Sequence, residues 1–309
     1  MEWSTPARFG AKRNIDLFMP ELPEVETIVR DLNKKVIGLK FLDFWTDWPK
    51  SVKTHKLADF AHEIRGKKIL RARRRAKYIL MDLSGGQTII IHQKISGHLL
   101  YGKWKMMDGK PIADVEGPIK SDPYNRFIRH IFYLSNGFML GFSDVRRFGK
   151  IFLGDTEKIE NINEIGKLGP EPLGEKLTFE KFKDIISRKK GLIKRVLMDP
   201  FTIAGIGNIY ADEILWYAGV SPLRKSDKLK NSELKAVYKS VHLVLEKAIK
   251  AKGDSEQDYR TLDGEVGGYQ KLQKAYQQTG KKCQKKDGGV IKRVVINNRS
   301  AHFCPIHQK

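Results

Sequence analysis

Cysteine is almost absent: Cys283 and Cys304, both near the C-terminus, are the only two among 309 residues. So low a number excludes a disulfide framework, and leaves spacing to decide whether the pair binds metal. Long apolar runs are missing as well. No uninterrupted stretch approaches the roughly 18 residues of a spanning helix, and the opening MEWSTPARFGAKRNIDLF lacks the apolar centre of a signal peptide. The expectation is a cytoplasmic protein with no membrane partner. Acidic residues are scarce, 36 against 58 Lys plus Arg, for a formal net charge of +22. That excess favours a polyanionic partner, by phosphate neutralisation and counterion release, although a merely soluble basic protein has the same composition.

Hydrophobic residues make up 40% of the chain, enough to bury a substantial core, and the length allows two domains. Val25, Ile28, Val29, Leu32 and Val36 recur at helical spacing and predict an amphipathic helix ending near Gly38. The period then changes. Short apolar segments at 78–83, 88–91, 130–134 and 138–142, separated by Ser84-Gly85-Gly86 and Ser135-Asn136-Gly137, predict antiparallel strands. From about Leu177 the pattern is helical again: one helix carries Phe179, Phe182, Ile185 and Ile186, and others cover 192–198, 208–218 and 234–249. Five glycines between 252 and 280 mark a loop-rich excursion, and Asn297-Asn298 inside an apolar stretch predicts a small β-hairpin.

The organising stretch is Met19-Pro20-Glu21-Leu22-Pro23-Glu24-Val25-Glu26-Thr27. A proline at a chain start carries a secondary amine, able to attack a sugar aldehyde and form an iminium; within a chain the same nitrogen is an inert amide. Read alone, Pro-Glu-Leu-Pro-Glu is also an ordinary helix start. Further on come Asp144-Val145-Arg146-Arg147-Phe148-Gly149 and Gly205-Ile206-Gly207-Asn208-Ile209-Tyr210-Ala211-Asp212-Glu213. An aromatic wedge beside a guanidinium suits a duplex from which a nucleotide has been flipped. Two glycines before a helix let backbone N–H groups approach a phosphate, with Asn208 at the N-cap.

These motifs, in this order, resemble the bacterial formamidopyrimidine-DNA glycosylases from Met19 to the last residues. Residues 1–18 fall outside the likeness, which makes Met19 the expected start. The resemblance implies an α+β protein: residues 19–155 an antiparallel β-sandwich catalytic domain with a flanking helix, 170–252 a helix-two-turns-helix domain, 253–280 a lesion-capping region (255–269 the cap itself), and 281–309 a zinc-finger-like hairpin. It implies a base-excision-repair glycosylase with AP lyase activity, acting as a monomer on double-stranded DNA that contains oxidised purines. Pro20 would be the nucleophile, Glu21 the proton shuttle with Glu24 as a second acid, and Lys77 the grip on phosphates flanking the lesion, with Arg73, Arg74 and Arg75 left as surface charge. His92, Lys194, Asn208 and Arg299 would also contact DNA, and Arg146 would face the orphaned base. Phe148 would wedge the stack, with Ile95 where the family has methionine. The oxidised-pyrimidine branch is the nearest alternative, disfavoured by Glu21-Leu22-Pro23; a non-catalytic lesion-binding protein is the other, if residues 1–18 stay attached.

The finger departs from the family's four cysteines. Cys283-Gln284-Lys285-Lys286 and Cys304-Pro305-Ile306-His307 leave Cys283, Cys304 and His307 as zinc ligands, because the ammonium of Lys286 has no lone pair to offer. Asp287, His302 or water would complete the set. Otherwise the hairpin folds without metal.

Overall fold

The computed structural model describes residues 19–256 and 258–309; the expected extension at 1–18 lies outside the described residues. Helix α1 (Leu22–Lys35) is the first element of the described residues. Its apolar stripe, Leu22, Val25, Ile28, Val29 and Leu32, is buried in the main core, as the 3.6-residue period predicts.

Strands β1 (Phe41–Thr46), β2 (Ile69–Arg75), β3 (Tyr78–Leu83), β4 (Gln87–His92) and β5 (Gly97–Gly102) follow, with α2 (Leu57–Ile64) between the first two. After the hairpin β6 (Trp104–Met107)–β7 (Lys110–Ala113) and the single turn α3 (Pro118–Ser121) come β8 (Ile128–Leu134), β9 (Met139–Asp144) and β10 (Lys150–Asp155). They form two four-stranded antiparallel sheets, in the orders β1-β8-β9-β5 and β10-β4-β3-β2. Inward residues of both, among them Ile79, Met81, Ile89, Ile91, Phe132 and Phe142, join the same core as α1. This is the expected sandwich with its flanking helix.

After the turn α4 (Asn163–Gly166), helices α5 (Phe179–Ser187), α6 (Ile193–Met198), α7 (Asn208–Ala218) and α8 (Asn231–Lys250) build the second half. Helix α7 is buried almost all round, from Ile209 to Trp216, and ends at Gly219 in the left-handed conformation, φ 69°, which only glycine adopts without strain. The chain closes on the hairpin β11 (Lys292–Ile296)–β12 (Arg299–Phe303). Its turn residues Asn297 and Asn298 both have positive φ, 48° and 60°, the conformation that the Asn-Asn pair predicts.

Candidate active site

Pro20 and Glu21 sit at the head of α1, and both are buried. The Leu22 N–H donates to the Gly205 carbonyl at 3.1 Å, which ties the start of the sandwich half to the loop between α6 and α7. The Glu21 carboxylate accepts the N–H groups of Gly207 at 2.6 Å and Ile209 at 3.0 Å. These are free donors at the positive end of α7. The Gly-Ile-Gly turn assigned to a phosphate therefore holds a carboxylate, and Gly207, not Asn208, is the N-cap.

Lys77 follows Ala76, whose φ of 52° turns the chain sharply between β2 and β3. A Cβ on Gly207 would lie 2.3 Å from Glu21 Cδ and 2.6 Å from Lys77 Nζ, so carboxylate, ammonium and helix start converge at one point with no room for a side chain. Burial pushes the Glu21 carboxyl up, opposed by Lys77, and pushes the Lys77 ammonium down, opposed by Glu21 and Glu24. Glu24 receives the Glu21 N–H at 2.8 Å, the Tyr210 hydroxyl at 2.5 Å and the Asp254 N–H at 2.8 Å. Burial and the neighbouring Glu21 charge still raise it to about 8. The pair thus keeps a proton at neutral pH.

Glu21, Lys77, Asn208, Tyr276 and Arg299 line a cavity of about 110 Å³. The Asn208 amide is buried there with no hydrogen-bond partner on either atom. A larger hollow of about 460 Å³ begins at Lys77 and includes Tyr78, His92 and Lys94. His92 Nδ1 accepts the Lys94 N–H at 3.0 Å, so Nε2 carries the ring proton and is the donor. Burial and the surrounding lysines, Lys94 first, keep the ring neutral.

Ile95 lies half-buried in the turn after β4, and Phe148 is 52% exposed in the turn after β9. Asp144 joins the two turns: Oδ1 accepts the Ser96 hydroxyl at 2.5 Å and Oδ2 the Gly149 N–H at 2.8 Å. The Arg146 N–H completes the knot on Ser96 Oγ at 3.0 Å. Both wedge candidates are carried on one crosslinked unit.

Two expectations are refined. Lys194 is 1% exposed; its ammonium pairs with Asp212 at 2.6 Å and donates to the Ser300 carbonyl. It is paired within the interior, where an unpaired charge would be costly, and also lines a hollow with Lys190, Arg195 and Arg299. Arg74 and Arg75 are not loose surface charge either: both donate to Glu171, which also accepts the Ala76 N–H at 2.6 Å. Glu171 thereby fixes the turn that carries Lys77. No isolated residue in the sequence signals this, nor the roles of Tyr210 and Asp254 around Glu24.

Cys283, Asp287, Cys304 and His307 bring their ligand atoms within 4.8 Å of one another. Asp287 fills the fourth place next to the exposed Lys286, while His302 is occupied by Asp212 at 2.9 Å. His307 Nε2 lies 3.1 Å from the Trp216 carbonyl, which leaves Nδ1 for a metal, the outer-sphere arrangement common to metal-binding histidines. A Cβ on Gly289 would stand 2.3 Å from Cys304 Sγ, so the cradle closes only around glycine. The residues fit a tetrahedral zinc site built from two thiolates, one imidazole and one carboxylate.

The formamidopyrimidine-DNA glycosylase N-terminal domain matches residues 19–151, and the formamidopyrimidine-DNA glycosylase H2TH domain matches 168–260. A formamidopyrimidine-DNA glycosylase of Herpetosiphon aurantiacus is 37% identical over 291 residues, 94% of this chain and all of that one. Lactococcus lactis Fpg complexed with DNA containing an abasic site superposes with a TM-score of 0.81 at 29% identity, covering 94% of this chain and 99% of that one. MutM in complex with DNA containing carbocyclic 8-oxo-G gives 0.80 at 30%, over 94% and 100%.

Proposed function

The chain belongs to the formamidopyrimidine-DNA glycosylase family, and we propose that Pro20, once freed as an N-terminal amine, is the nucleophile of this DNA glycosylase. Its substrates are 8-oxoguanine and formamidopyrimidines in double-stranded DNA, the lesions that the relatives' names and complexes carry. One observation carries the assignment: Glu21, the residue after Pro20, is buried against the start of α7 with the Lys77 ammonium beside it.

In this reading the Pro20 nitrogen attacks C1′ and the base leaves with its bonding pair and a proton. Glu21, its carboxyl held up by burial, protonates the ring oxygen, so that the sugar opens to an iminium. It then relays protons while β- and δ-elimination expel the two phosphates. Lys77, Arg299, Asn208 and the Nε2–H of His92 line the hollows where the flanking phosphates lie. Arg146 and Phe148 fill the gap left in the stack, with Ile95 carried alongside. Cys283, Asp287, Cys304 and His307 would hold a zinc ion, which would supply no chemistry to the reaction and would fix the hairpin that carries Arg299. The protein acts as a monomer on the DNA of the cytoplasm.

The test is borohydride trapping on a duplex with 8-oxoguanine opposite cytosine, using the 309-residue chain and a form begun at Met19, with intact masses. A crosslink only on chains that start at Pro20 supports the reading. A crosslink on chains with residues 1–19 attached assigns another amine. Binding without a crosslink in either form favours a lesion-binding protein.

A further inference from the structure

Residues 254–256 and 258–268 lie beyond a closed neck, where Gly268 N–H meets the Ala251 carbonyl at 2.8 Å and Tyr269 N–H the Gly253 carbonyl at 2.9 Å. This loop begins on the catalytic carboxylates, with Asp254 N–H on Glu24 and Gly253 so close that a Cβ would be 2.7 Å from Glu24 Oε1. Further along, Asp258, its carboxyl pushed up by burial, is within electrostatic reach of Arg146. The loop therefore starts at the acid pair and carries Asp258 toward the side of Arg146.

The far side of this loop is held by the sandwich half. Arg260, 5% exposed, donates to Asp122 at 2.7 Å and stacks over Tyr124, 4.7 Å from the ring centre. The Asn125 amide donates to the Gly264 carbonyl at 3.1 Å, and Tyr101 N–H to the Leu262 carbonyl at 2.7 Å. Gly264, φ +79°, lies so near that a Cβ would be 2.6 Å from Asn125 Nδ2. Asp122, Tyr124 and Asn125 belong to the excursion between β5 and β8, which packs its Trp104 and Ile119 against Leu100 of β5 and Ile128 and Ile131 of β8 in a separate small core.

We infer that this excursion is a brace that holds the base-facing loop in its working shape, and that Arg260 is the positioning residue through which it acts. The inference rests on the glycosylase reading above. A loop anchored on a folded unit has less freedom to lose when it closes on a base. Excision of a damaged base depends on the brace; cleavage at a site that has already lost its base does not.

The experiment compares Asp122→Ala, Asp122→Asn and Tyr124→Leu with unmodified protein, in the full chain and in the Met19 form. Two substrates are used under single turnover: 8-oxoguanine opposite cytosine, and the same duplex with a preformed abasic site. Misplacing a reacting group by about 1 Å costs up to 10²-fold; here about tenfold is expected on 8-oxoguanine for Asp122→Ala, less for Asp122→Asn, and within about twofold on the abasic duplex. Arg260→Ala is expected to fall as far, with no further loss when combined with Asp122→Ala. Equal losses on both substrates, or additive losses, would overturn the inference in favour of a merely structural contact. Hydrogen exchange without DNA separates this from the glycosylase reading: if unmodified protein cleaves neither duplex that reading fails, while faster exchange across 254–268 in Asp122→Ala still supports the brace and unchanged exchange rejects it.

Discussion

The Glu21 carboxylate and the Gly207 N–H, 2.6 Å apart, join the first turn of α1 to the first turn of α7. A methyl group at Gly207 would strike both Glu21 and Lys77, while the backbone itself, with φ −128°, accepts any residue. Gly207→Ala is therefore expected to fold, displace the carboxylate and slow excision by about 10²-fold or more, the usual worth of a positioned acid. Single-turnover rates with a parallel DNA-binding titration check this; an unchanged rate would remove Glu21 from the chemistry.

The acid pair sets a pH dependence. Both carboxyls are raised by burial, Glu24 to about 8, so the proton held by the pair is lost as pH rises past the Glu24 value and the rate falls. Replacing Glu24 by Gln removes the carboxyl that holds this proton, so the alkaline limb near that pH should disappear. Stability follows the same sign. A carboxyl at 4.5 when unfolded and about 8 when folded binds more protons in the native state between those values, so its contribution declines from pH 4.5 to 8. Glu24→Gln is expected to flatten that decline in thermal melts; an unaltered slope would mean that Glu24 is already ionised at neutral pH.

Phe148 lies 52% exposed on the turn knotted by Asp144, and so contributes little to folding. Phe148→Ala should leave the melting temperature within a degree or two and yet slow excision at least tenfold, as fits a group whose contacts form only in the kinked duplex. A drop in stability of the size seen for core phenylalanines, about 3–5 kcal/mol, would return it to a packing role.

Much of this was legible from local pattern. The helix period gave α1 and α5 to α8, short apolar runs between turn residues gave β3, β4, β8 and β9, and Asn297-Asn298 gave the final hairpin. The brace segment was not, because Asp122, Tyr124 and Asn125 acquire meaning only through Arg260 and Gly264, about 140 residues away in the chain. The same holds for Glu171 on Arg74 and Arg75. The pairing of Lys194 with Asp212 was not legible, because motif position says where a residue sits along a helix and not which way its side chain points. A fourth metal ligand at Asp287 was within reach of the sequence, but distances were needed to prefer it to His302.

Lys194, Asp212 and His302 link α6, α7 and β12 in the interior. Removing one partner leaves an uncompensated buried charge, so Lys194→Ala is expected to cost about 3–5 kcal/mol in denaturant unfolding. A phosphate-binding lysine would instead leave stability alone and reduce the salt dependence of DNA binding by about one unit of slope. The two measurements together decide which role Lys194 has.

The metal site gives the sharpest departure from a four-cysteine finger. Two thiolates, one imidazole and one carboxylate carry less negative charge than four thiolates, so metal should be lost to a chelator more readily than from four thiolates. One zinc per chain is expected by mass spectrometry under native conditions. Asp287→Ala and His307→Ala should each lower its retention against a chelator, whereas Lys286→Ala should not. Asp287→Cys, restoring a third thiolate, should tighten it. Because the hairpin presents Arg299, stripping the metal should weaken DNA binding and leave the melting of the sandwich core, which shares no residue with the site, within a few degrees. Full DNA affinity after complete removal would show that the hairpin holds its shape through Asp212, His302 and Trp216 alone.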